Sequence, residues 1–407
     1  MKKILLGMTC LMMAVEAQAG GFQLSEYSTT SIGRAFAGSG IVGDDLSALA
    51  FNPAGMTLAK SGIQGGVSLV SMYSNVHGSV SNGTKGPKGK IRENNVVPHA
   101  FMQYAPTDDL RIGAGVYTPY AFSLDYNEGW FGRGHARKSE IKAIDYAIGV
   151  SYRVISQLSI GLGIQAQTLD ARLTNNVDAY TPYGMKFTSD LKGDSFNLTG
   201  NIGVMYEPCQ NTRFGVSYQM KSNHKIKGDH HVSAAGDLYG DVHAKLVLPE
   251  FLLISAYHKI DKWGLSASAK WTRWSQFKTL DVYSTYTGSD KPVGAVHENW
   301  RNTWTLSVGA DYDVNDKWRV RGGLTYDQAG IKDSAHRTAR LPDANRWIVG
   351  VGASYHINDK ITLDMAYAHM FMKTSKTTNT LPNHGSQINA KYGSQINILS
   401  MALQYHF

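Results

Sequence analysis

Apolar and polar residues alternate along most of the chain after its first 60 positions. Between residues 303 and 313, between residues 346 and 356 and between residues 144 and 153, one face carries large apolar side chains and the other carries small or polar ones. A period of two residues is typical of β-strands, whose side chains point alternately to the two faces of a sheet. No run of 18 or more apolar residues follows the first 20 positions, which excludes a helical membrane protein. The pattern predicts an all-β protein.

A repeated motif divides the alternating segments. Each copy starts with a tyrosine, continues through a few polar residues and leads into the next alternating segment, with copies at Tyr104, Tyr152, Tyr206, Tyr257, Tyr312 and Tyr355. Six such turns join twelve strands, and one strand before them (about 62–76) and one after them (about 395–407) bring the number to fourteen. An even strand number is what a single-chain bacterial outer-membrane barrel requires. The sequence therefore predicts a 14-stranded antiparallel transmembrane β-barrel with short periplasmic turns.

The direction of the alternation fits lipid outside and water inside. Long polar segments such as 78–94 and 123–140 predict long extracellular loops, and the aromatic strand ends predict interfacial girdles. A charged side chain within the membrane is costly when it points to lipid. Asp145, Arg319, Arg321 and Asp364 are therefore expected to face the lumen. There they either form ion pairs that brace the wall or contact a ligand.

The two ends of the chain carry export signals. Lys2 and Lys3 precede a short apolar run that ends in Ala17-Gln18-Ala19, so residues 1–19 are predicted to be a secretory signal peptide. The mature chain then contains one cysteine, Cys209, and can form no intramolecular disulfide. The alternating C-terminus that ends at Phe407 resembles the assembly signal of outer-membrane proteins. We therefore expect the outer membrane of a Gram-negative bacterium as the location and the barrel assembly machinery as a partner.

The segment that follows the signal peptide lacks strand alternation. It reads FQLSEYSTTSIGRAFAGSGIVGDDLSALAFNPAGM and resembles the N-terminal hatch of the FadL family, outer-membrane transporters of long-chain fatty acids and other hydrophobic compounds. Further segments resemble family signatures, namely WFGRGHARKSE, LPEF at 248–251, WSQF at 274–277 and LPDANRW at 341–347. The resemblance covers nearly the whole mature chain. It implies a hatch over residues 20–60, a barrel over residues 61–407 and a monomer in contact with outer-membrane lipid.

Physical arguments also favour a plug. The lumen of a 14-stranded barrel is too wide for wall side chains to fill, so it is either an aqueous channel or plugged. Gly33, Gly38 and Gly40 are expected to permit tight turns within the plug. Pro53 biases Asn52 towards an extended conformation. By resemblance, Asn52, Pro53 and Ala54 are the gating end of the hatch, and Gly33 and Arg34 belong to its gating residues; the alternative is a plain linker.

The third strand carries a second feature that the resemblance implies. Its sequence, LRIGAGVYTPYAF, contains Gly113, Gly115, Pro119 and Ala121. The family has an inward kink in this strand, which opens the wall sideways so that substrate leaves into the membrane. A proline has no N–H for the ladder and fits poorly inside a closed sheet. The alternative is that Pro119 lies at the outer rim, because residues 110–120 are already long enough to span.

The expected ligand is a hydrophobic small molecule. For a fatty acid, the carboxylate calls for a cation in an apolar channel, and the candidates are Arg172, Arg321, Arg337 and Arg346. Phe122, Trp130 and Phe131 could form the apolar capture groove that the family has in this loop, or an ordinary loop core. One position departs from the fatty-acid pattern, because Val296 stands where such transporters can carry a lysine before His297 and Glu298. This departure leaves an uncharged aromatic hydrocarbon open as the substrate.

Other classes of function fit less well. The chain has no G-x-S-x-G motif and no Walker A or dinucleotide fingerprint, so no enzyme and no cofactor are predicted. His230 and His231 are adjacent on an extended segment and face opposite ways, so no metal site is predicted. The net charge of +8 is modest for an exported chain and does not predict nucleic-acid binding. Transport is expected to be passive, with a general diffusion porin as the main alternative and a structural or adhesive barrel as a third.

Overall fold

The computed structural model describes residues 21–81, 84–176, 187–233, 238–285, 292, 294–381 and 385–407, so the predicted signal peptide lies outside the described residues. Strands dominate, and their bounds are β1 Gly62–Val80, β2 Gly89–Tyr104, β3 Leu110–Asp125, β4 Lys138–Ile155, β5 Leu158–Asn176, β6 Thr188–Cys209, β7 Thr212–Gln219, β8 Ser222–Ser233, β9 Leu238–Leu248, β10 Phe251–Ile260, β11 Trp263–Thr272, β12 Thr279–Ser284, β13 Gly294–His297, β14 Thr303–Asp313, β15 Trp318–Asp327, β16 Arg346–His356, β17 Ile361–Met372, β18 Ser375–Thr377 and β19 Ile388–His406. Helices are short, namely α1 Thr29–Gly33, α2 Ala48–Phe51 and the 3-10 turns Pro53–Leu58 and Trp274–Gln276.

These segments form one closed antiparallel barrel of fourteen strands. Five spanning strands are interrupted once each, so that β7 continues into β8, β9 into β10, β11 into β12, β13 into β14 and β17 into β18. The barrel closes where β1 pairs with β19, from Gly62 opposite His406 to Val80 opposite Ile388. The six predicted turns all join consecutive antiparallel strands, which confirms the predicted fold. Among the described residues, none of the helices is both long and apolar enough to cross a membrane.

The two faces of the wall differ as the alternation predicts. On β19, Leu399, Met401 and Leu403 are 52%, 47% and 50% exposed and face outwards, where lipid covers them in the membrane. The charged residues predicted to face the lumen are inside: Asp145, Arg321 and Asp364 are buried, and Arg319 is partly buried. Apolar residues outside and charged residues inside are the arrangement that a bilayer imposes on a barrel.

Residues 21–60, which we call the N-terminal segment, lie inside this barrel. Nearly all of them are buried, and they contact inward-facing residues on opposite sides of the wall, including Ser400 of β19 and Asn201 of β6. The Ser28 hydroxyl caps α1 by accepting a hydrogen bond from the Ser31 amide at 3.1 Å. The Asn52 side chain accepts in the same way from the Ala54 amide, also at 3.1 Å, at the start of the 3-10 turn. Local capping thus gives short helical turns to a segment that has no strand pattern.

The glycines of this segment act in two ways. Gly38 and Gly40 have φ angles of +70° and +81°, so the predicted turns are confirmed at both positions. Gly33 is the last residue of α1, and the Ala35 amide closes a turn around it by donating to the Ile32 carbonyl at 2.9 Å. A Cβ at Gly33 would lie 2.8 Å from Cδ of Arg321 and 3.1 Å from the Cα atom of Gly352. Gly33 therefore permits α1 to approach the wall closely.

The N-terminal segment also spans the closure of the barrel. The Thr29 hydroxyl lies 2.7 Å from that of Ser400 on β19, and the Ser68 hydroxyl on β1 donates to the Glu26 carbonyl at 2.7 Å. Ser68 and Ser400 are themselves 2.9 Å apart. The first and last strands are therefore joined from inside by the same stretch of chain.

Candidate functional site

The wall is interrupted between β2 and β3. These strands pair only from Ala100 opposite Val116 to Tyr104 opposite Ile112, although β2 stays paired with β1 as far as Gly89 and β3 stays paired with β4 as far as Asp125. Contact resumes at a single bridge near the extracellular end. The upper half of β3 has therefore separated from the strand beside it.

A bulge marks the place where β3 turns away. The register with β4 shifts between Tyr117 and Tyr120, so Thr118 and Pro119 face only one residue of the partner strand. Above this point the strand is buried on both faces, as expected for a strand bent into the lumen. Pro119 thus lies six residues before Asp125, the last residue of β3, and the alternative placement at the outer rim is wrong. Ala121 lies directly above the bulge.

The other two residues of the predicted opening lie lower. Gly113 and Gly115 belong to the regularly paired part of β3, opposite Gln103 and Phe101. A Cβ at Gly113 would lie 2.5 Å from the Met56 methyl group of the N-terminal segment. The break in the wall therefore includes Pro119 and Ala121 and leaves the two glycines below it.

The start of the N-terminal segment covers the free edge of β3. The Leu24 amide donates to the Pro119 carbonyl at 2.8 Å, and the Ala121 amide donates to the Phe22 carbonyl at 3.0 Å. Gln23 and Tyr120 thus form an antiparallel bridge. Three residues of the segment replace β2 as the partner of β3, through two backbone hydrogen bonds.

Aromatic side chains from three loops or strands surround this start. The Phe22 ring lies 5.0 Å from Trp274, 5.8 Å from Phe277 and 6.2 Å from Trp300, measured between centroids. It also lies 6.1 Å from Tyr120 of β3. Offset and edge-on arrangements at these distances are favourable. We call these five side chains the aromatic cluster.

A buried carboxyl group supports the aromatic cluster. The Trp300 indole N–H donates to Glu298 at 2.7 Å, and no cation forms an ion pair with Glu298 among the described residues. Burial raises the pKa of Glu298 to about 7, and hydrogen bonds from Trp300 and Thr338 offset part of this effect. Glu298 therefore changes charge near neutral pH, next to the start of the N-terminal segment.

On another side of the lumen the attachment is ionic. Arg34 of the N-terminal segment contacts Asp44 at 2.6 Å and Asp311 of β14 at 2.9 Å. Arg321 of β15 contacts the same two carboxylates at 3.2 and 3.3 Å and lies 3.8 Å from Asp364 of β17. Opposite charges held in one buried network compensate each other's desolvation. Arg321, a predicted carboxylate ligand, is therefore already occupied by protein carboxylates.

The predicted gating end is held by uncharged groups. The Ser151 hydroxyl of β4 donates to the Ala54 carbonyl at 3.1 Å, and the Asn52 side-chain Nδ2 atom donates to the Val204 carbonyl at 3.2 Å. The wall is bare at this contact, since a Cβ at Gly203 would lie 1.9 Å from the Asn52 Oδ1 atom. Residues 52–54 are thus packed against β4 to β6 and make no ion pair in the structure as described.

The other predicted cations differ in their partners. Arg346 is buried and contacts Asp327 and Asp343, both at 3.0 Å, while Arg172 forms a more exposed pair with Asp190 at 2.7 Å. Arg337 donates to the carbonyls of Asp343 and Lys376 and makes no ion pair with any described residue. Burial lowers the pKa of Arg337. The structure does not bring these arginines together into one site.

The predicted capture groove lies in the loop after β3. Trp130 is completely buried, stacks on Tyr126 at 3.9 Å between centroids and donates its indole N–H to the Ala136 carbonyl. Phe131 packs edge-on against Trp130 at 5.1 Å, and Phe122 is buried in the same core. In this arrangement the three side chains form a loop core, and a capture groove stays a prediction.

The structure also places Val296 and the adjacent histidines His230 and His231. Val296 pairs with Leu280 where β13 meets β12. His230 lies between the hydroxyls of Ser189 and Ser284, whereas the His231 ring stacks on Tyr239. The adjacent histidines therefore make contacts on separate sides of the strand.

One lumenal cation and most of the aromatic cluster were not predicted from the sequence. Lys270 lies on the inward face of β11, the same face as Ser266 and Ser268. The Ser268 hydroxyl contacts the N-terminal segment, and the Ser266 hydroxyl contacts the neighbouring strand of the wall. The parity of Lys270 within the strand was the available signal. Trp274 and Trp300 lie in loops without alternation, so only the family signature WSQF pointed to the first of them.

Comparison with known proteins places this architecture in a family. Residues 10–407 match the family model described as outer membrane protein transport protein (OMPP1/FadL/TodX). Outer membrane protein P1 of Haemophilus influenzae is 28% identical, over 97% of this chain and 98% of the relative. The long-chain fatty acid transport protein of Shigella flexneri is 22% identical, over 92% of this chain and 93% of the relative.

Solved structures share the fold. A FadL homologue of Pseudomonas aeruginosa superimposes with a TM-score of 0.87 at 24% identity, covering 95% of this chain and all of the other. The toluene transporter TbuX of Ralstonia pickettii gives a TM-score of 0.71 at 19% identity, covering 94% and 99%. These likenesses establish the barrel, and the family match covers nearly the whole chain. The chain belongs to the OMPP1/FadL/TodX family of outer-membrane transport proteins for hydrophobic compounds and is not an enzyme.

Proposed function

We propose that this protein mediates passive uptake of long-chain fatty acids or similar hydrophobic molecules across the outer membrane, with lateral release through the break between β2 and β3. The N-terminal segment acts as the hatch in this proposal. The observation that carries it is the pairing of Phe22 to Leu24 with the β3 edge at Pro119 to Ala121. A movable strand at a break in the wall can open a path at membrane depth.

The packing of the lumen supports a lateral path. Residues 21–60 fill the route towards the periplasmic turns, where the Gln103 side chain donates to the carbonyls of Met56 and Ala59, both at 2.9 Å. A narrow internal cavity of about 10 Å³ next to the bulge is lined by residues of the N-terminal segment and the wall, among them Leu24, Tyr27, Pro119, Tyr120 and Phe251. A small displacement of residues 22–24 would join this cavity to the break. Hydrophobic substrate would then enter the membrane rather than the periplasm.

Energetics favour release at this edge. Two backbone hydrogen bonds contribute about 1 kcal/mol each net, so most of the attachment of residues 22–24 comes from the aromatic cluster. A hydrophobic ligand entering that cluster can replace the contacts of Phe22 with its own. Substrate binding and opening would then be coupled without an energy source, as passive transport requires.

A disulfide between positions 23 and 120 tests the proposal. Gln23 and Tyr120 form a non-hydrogen-bonded antiparallel pair, whose Cα atoms lie about 4.5 Å apart, within the range for a disulfide. In a Cys209→Ser background, we expect Gln23→Cys with Tyr120→Cys to block uptake of labelled palmitate when oxidised and to restore it on reduction. Ser74→Cys with Ser394→Cys is the matched control, because these hydroxyls are 2.7 Å apart in the wall between β1 and β19.

The outcomes separate the candidate functions. Palmitate uptake that is equal in the oxidised and reduced gate variant would contradict lateral release at this edge. Leakage of small polar solutes through the unmodified protein, with no palmitate uptake, would favour a diffusion porin.

An aromatic hydrocarbon is the second candidate substrate. The aromatic cluster contains no cation, and Glu298 beside it opposes an anionic head group once it is ionised. The TbuX protein, a toluene transporter by name, shares the fold. Uptake of labelled toluene but not of palmitate by the unmodified protein would assign the substrate to this class and leave the proposed gate unchanged.

A further inference from the structure

Lys270 differs from the other cations inside the barrel. Arg34, Arg321 and Arg346 are 1%, 5% and 1% exposed, and each contacts at least two carboxylates. Lys270 is only partly buried, and its ammonium group forms neither an ion pair nor a hydrogen bond with the residues that the structure describes. An ammonium group is strongly hydrated, and its removal from water without a partner is costly. Lys270 is therefore a lumenal cation that is available for an anionic ligand.

The position of Lys270 links it to the proposed path. Its Nζ atom lies 5.7 Å from the centroid of the Phe251 ring, and Phe251 lines the cavity beside the bulge together with Leu24 and Tyr120. The next inward residue of β11, Thr272, donates to the Gln23 side chain at 3.4 Å. Lys270 thus lies beside Phe251, one of the residues that line this cavity, and two positions before a residue that contacts Gln23.

The acidic groups near Lys270 do not neutralise it directly. Asp327 and Glu26 interact electrostatically with Lys270, but Asp327 forms its ion pair with Arg346, at 3.0 Å. Glu26 is fully buried, and its Oε2 atom accepts from the Ser25 amide at 2.7 Å while Oε1 has no partner among the described residues. Glu26 and Lys270 therefore influence each other electrostatically without forming an ion pair.

We propose that Lys270 binds the carboxylate of a long-chain fatty acid inside the barrel. The alkyl chain would lie along Phe251 towards the aromatic cluster, where apolar rings replace water. A charge-assisted hydrogen bond between ammonium and carboxylate is stronger than a neutral one. Lys270 therefore selects carboxylates over uncharged chains of equal length. This inference rests on the proposed function, because it assigns a ligand class to the same path.

Binding measurements on the full-length protein in lipid nanodiscs test this role. The two probes are palmitate and hexadecanol, which have sixteen-carbon chains and differ in the head group. We expect Lys270→Met to weaken palmitate binding about 10- to 100-fold, the equivalent of one charged hydrogen bond. Hexadecanol binding should be unchanged, and Lys270→Arg should retain palmitate affinity. Lys225→Met, at an exposed position of β8, is the matched control and should change neither affinity.

Two further comparisons separate ligand binding from a structural role. If Lys270 only balances Glu26, then Lys270→Met should weaken both ligands equally and Glu26→Gln should reverse the loss; this result would overturn the proposal. An unchanged palmitate affinity in Lys270→Met would also overturn it. Retention of hexadecanol binding shows that the variant is folded.

Uptake by cells distinguishes this inference from the proposed function. If the unmodified protein takes up palmitate and Lys270→Met takes it up equally well at limiting concentration, the inference fails while the proposed function stands. If the unmodified protein takes up neither palmitate nor hexadecanol, both fail. A selective loss of palmitate uptake in Lys270→Met supports both.

Discussion

The N-terminal segment is attached to the wall in two chemically different ways. Towards β14 to β17 it is held by the buried network of Arg34, Asp44, Asp311, Arg321 and Asp364. Towards β3 to β6, and towards the loops after β11 and β13 that contribute to the aromatic cluster, it is held by backbone hydrogen bonds, hydroxyl contacts and aromatic rings. Opening a charged network exposes uncompensated charges, whereas a hydrophobic ligand can substitute for rings. Under the proposed function, the segment therefore has a fixed side and a releasable side.

The largest expected effect comes from the charged side. Arg34→Met leaves Asp44 and Asp311 with one cation instead of two, and breaking such a buried network costs about 3–5 kcal/mol. We expect a lower unfolding temperature, measured by the mobility of the heated barrel on gels, and increased permeability to small polar solutes. Arg172→Met is the control, since its partly exposed pair with Asp190 contributes about 0–1 kcal/mol. Equal losses in the two variants would remove the distinction between the sides.

The second effect concerns pH at the releasable side. The Glu298 carboxyl has a pKa of about 7 in the folded loop of residues 298–302, against 4.5 ordinarily, so the folded loop favours the neutral form. The contribution of the neutral carboxyl to stability is complete below pH 4.5. As the pH rises to about 7, about 3 kcal/mol of this stability is lost, because each unit of pKa difference corresponds to about 1.36 kcal/mol. Amide hydrogen exchange of residues 298–302 should therefore accelerate with pH beyond its intrinsic dependence.

The Glu298→Gln variant isolates the cause of this pH effect. Glutamine keeps groups that hydrogen-bond near Trp300 and Thr338 but does not titrate, so the excess pH dependence should disappear. If the variant and the unmodified protein show the same profile, Glu298 does not control the loop.

A third test addresses the bare wall beneath Asn52. Gly203→Ala places a methyl group 1.9 Å from the Asn52 Oδ1 atom, so residues 52–54 must shift. Overpacking of this kind costs about 1–3 kcal/mol. We expect greater permeability to small polar solutes while the Arg34 network stays intact. Gly65→Ala is the control, because nothing lies within 4 Å of its Cβ position. Unchanged permeability in Gly203→Ala would argue against tight closure here.

The smallest effect is expected at the cap of the 3-10 turn. Asn52→Ala removes the acceptor for the Ala54 amide, a loss of about 1 kcal/mol for a helix cap. Uptake of labelled palmitate should increase slightly if residues 52–54 gate the path. A plain linker would leave uptake unchanged, and the measurement therefore decides between the two roles left open by the sequence.

The sequence predicted the barrel because its signals are local. Period-two alternation and six tyrosine-led turns determine the strand number without any long-range information, and they also placed Asp145, Arg321 and Asp364 inside. The break at Pro119 was different. Strand length allowed Pro119 at the rim or in the wall, and only the pairing of β2 with β3, together with residues 22–24, distinguished the two.

Site residues were predictable only in part for a related reason. Arginine was favoured as the carboxylate ligand because of its bonding geometry, yet the buried arginines Arg321 and Arg346 are occupied by protein carboxylates. Availability depends on which acids lie nearby in space, and sequence distance does not report it. Lys270 carried a weak signal in the alternation of its strand, whereas the contacts of Phe22 with Trp274 and Trp300 join parts of the chain more than 250 residues apart.

The contact of Thr29 and Ser68 with Ser400 has a consequence for biogenesis. These residues lie near opposite ends of the chain, so the stretch that enters the periplasm first acquires its final neighbours only after the last strand has arrived. Until then the N-terminal segment has no completed wall to pack against, and its charged side chains are not yet enclosed by the barrel. Insertion into the membrane and folding of the interior are therefore concluded together, and a chain truncated before β19 would lose both.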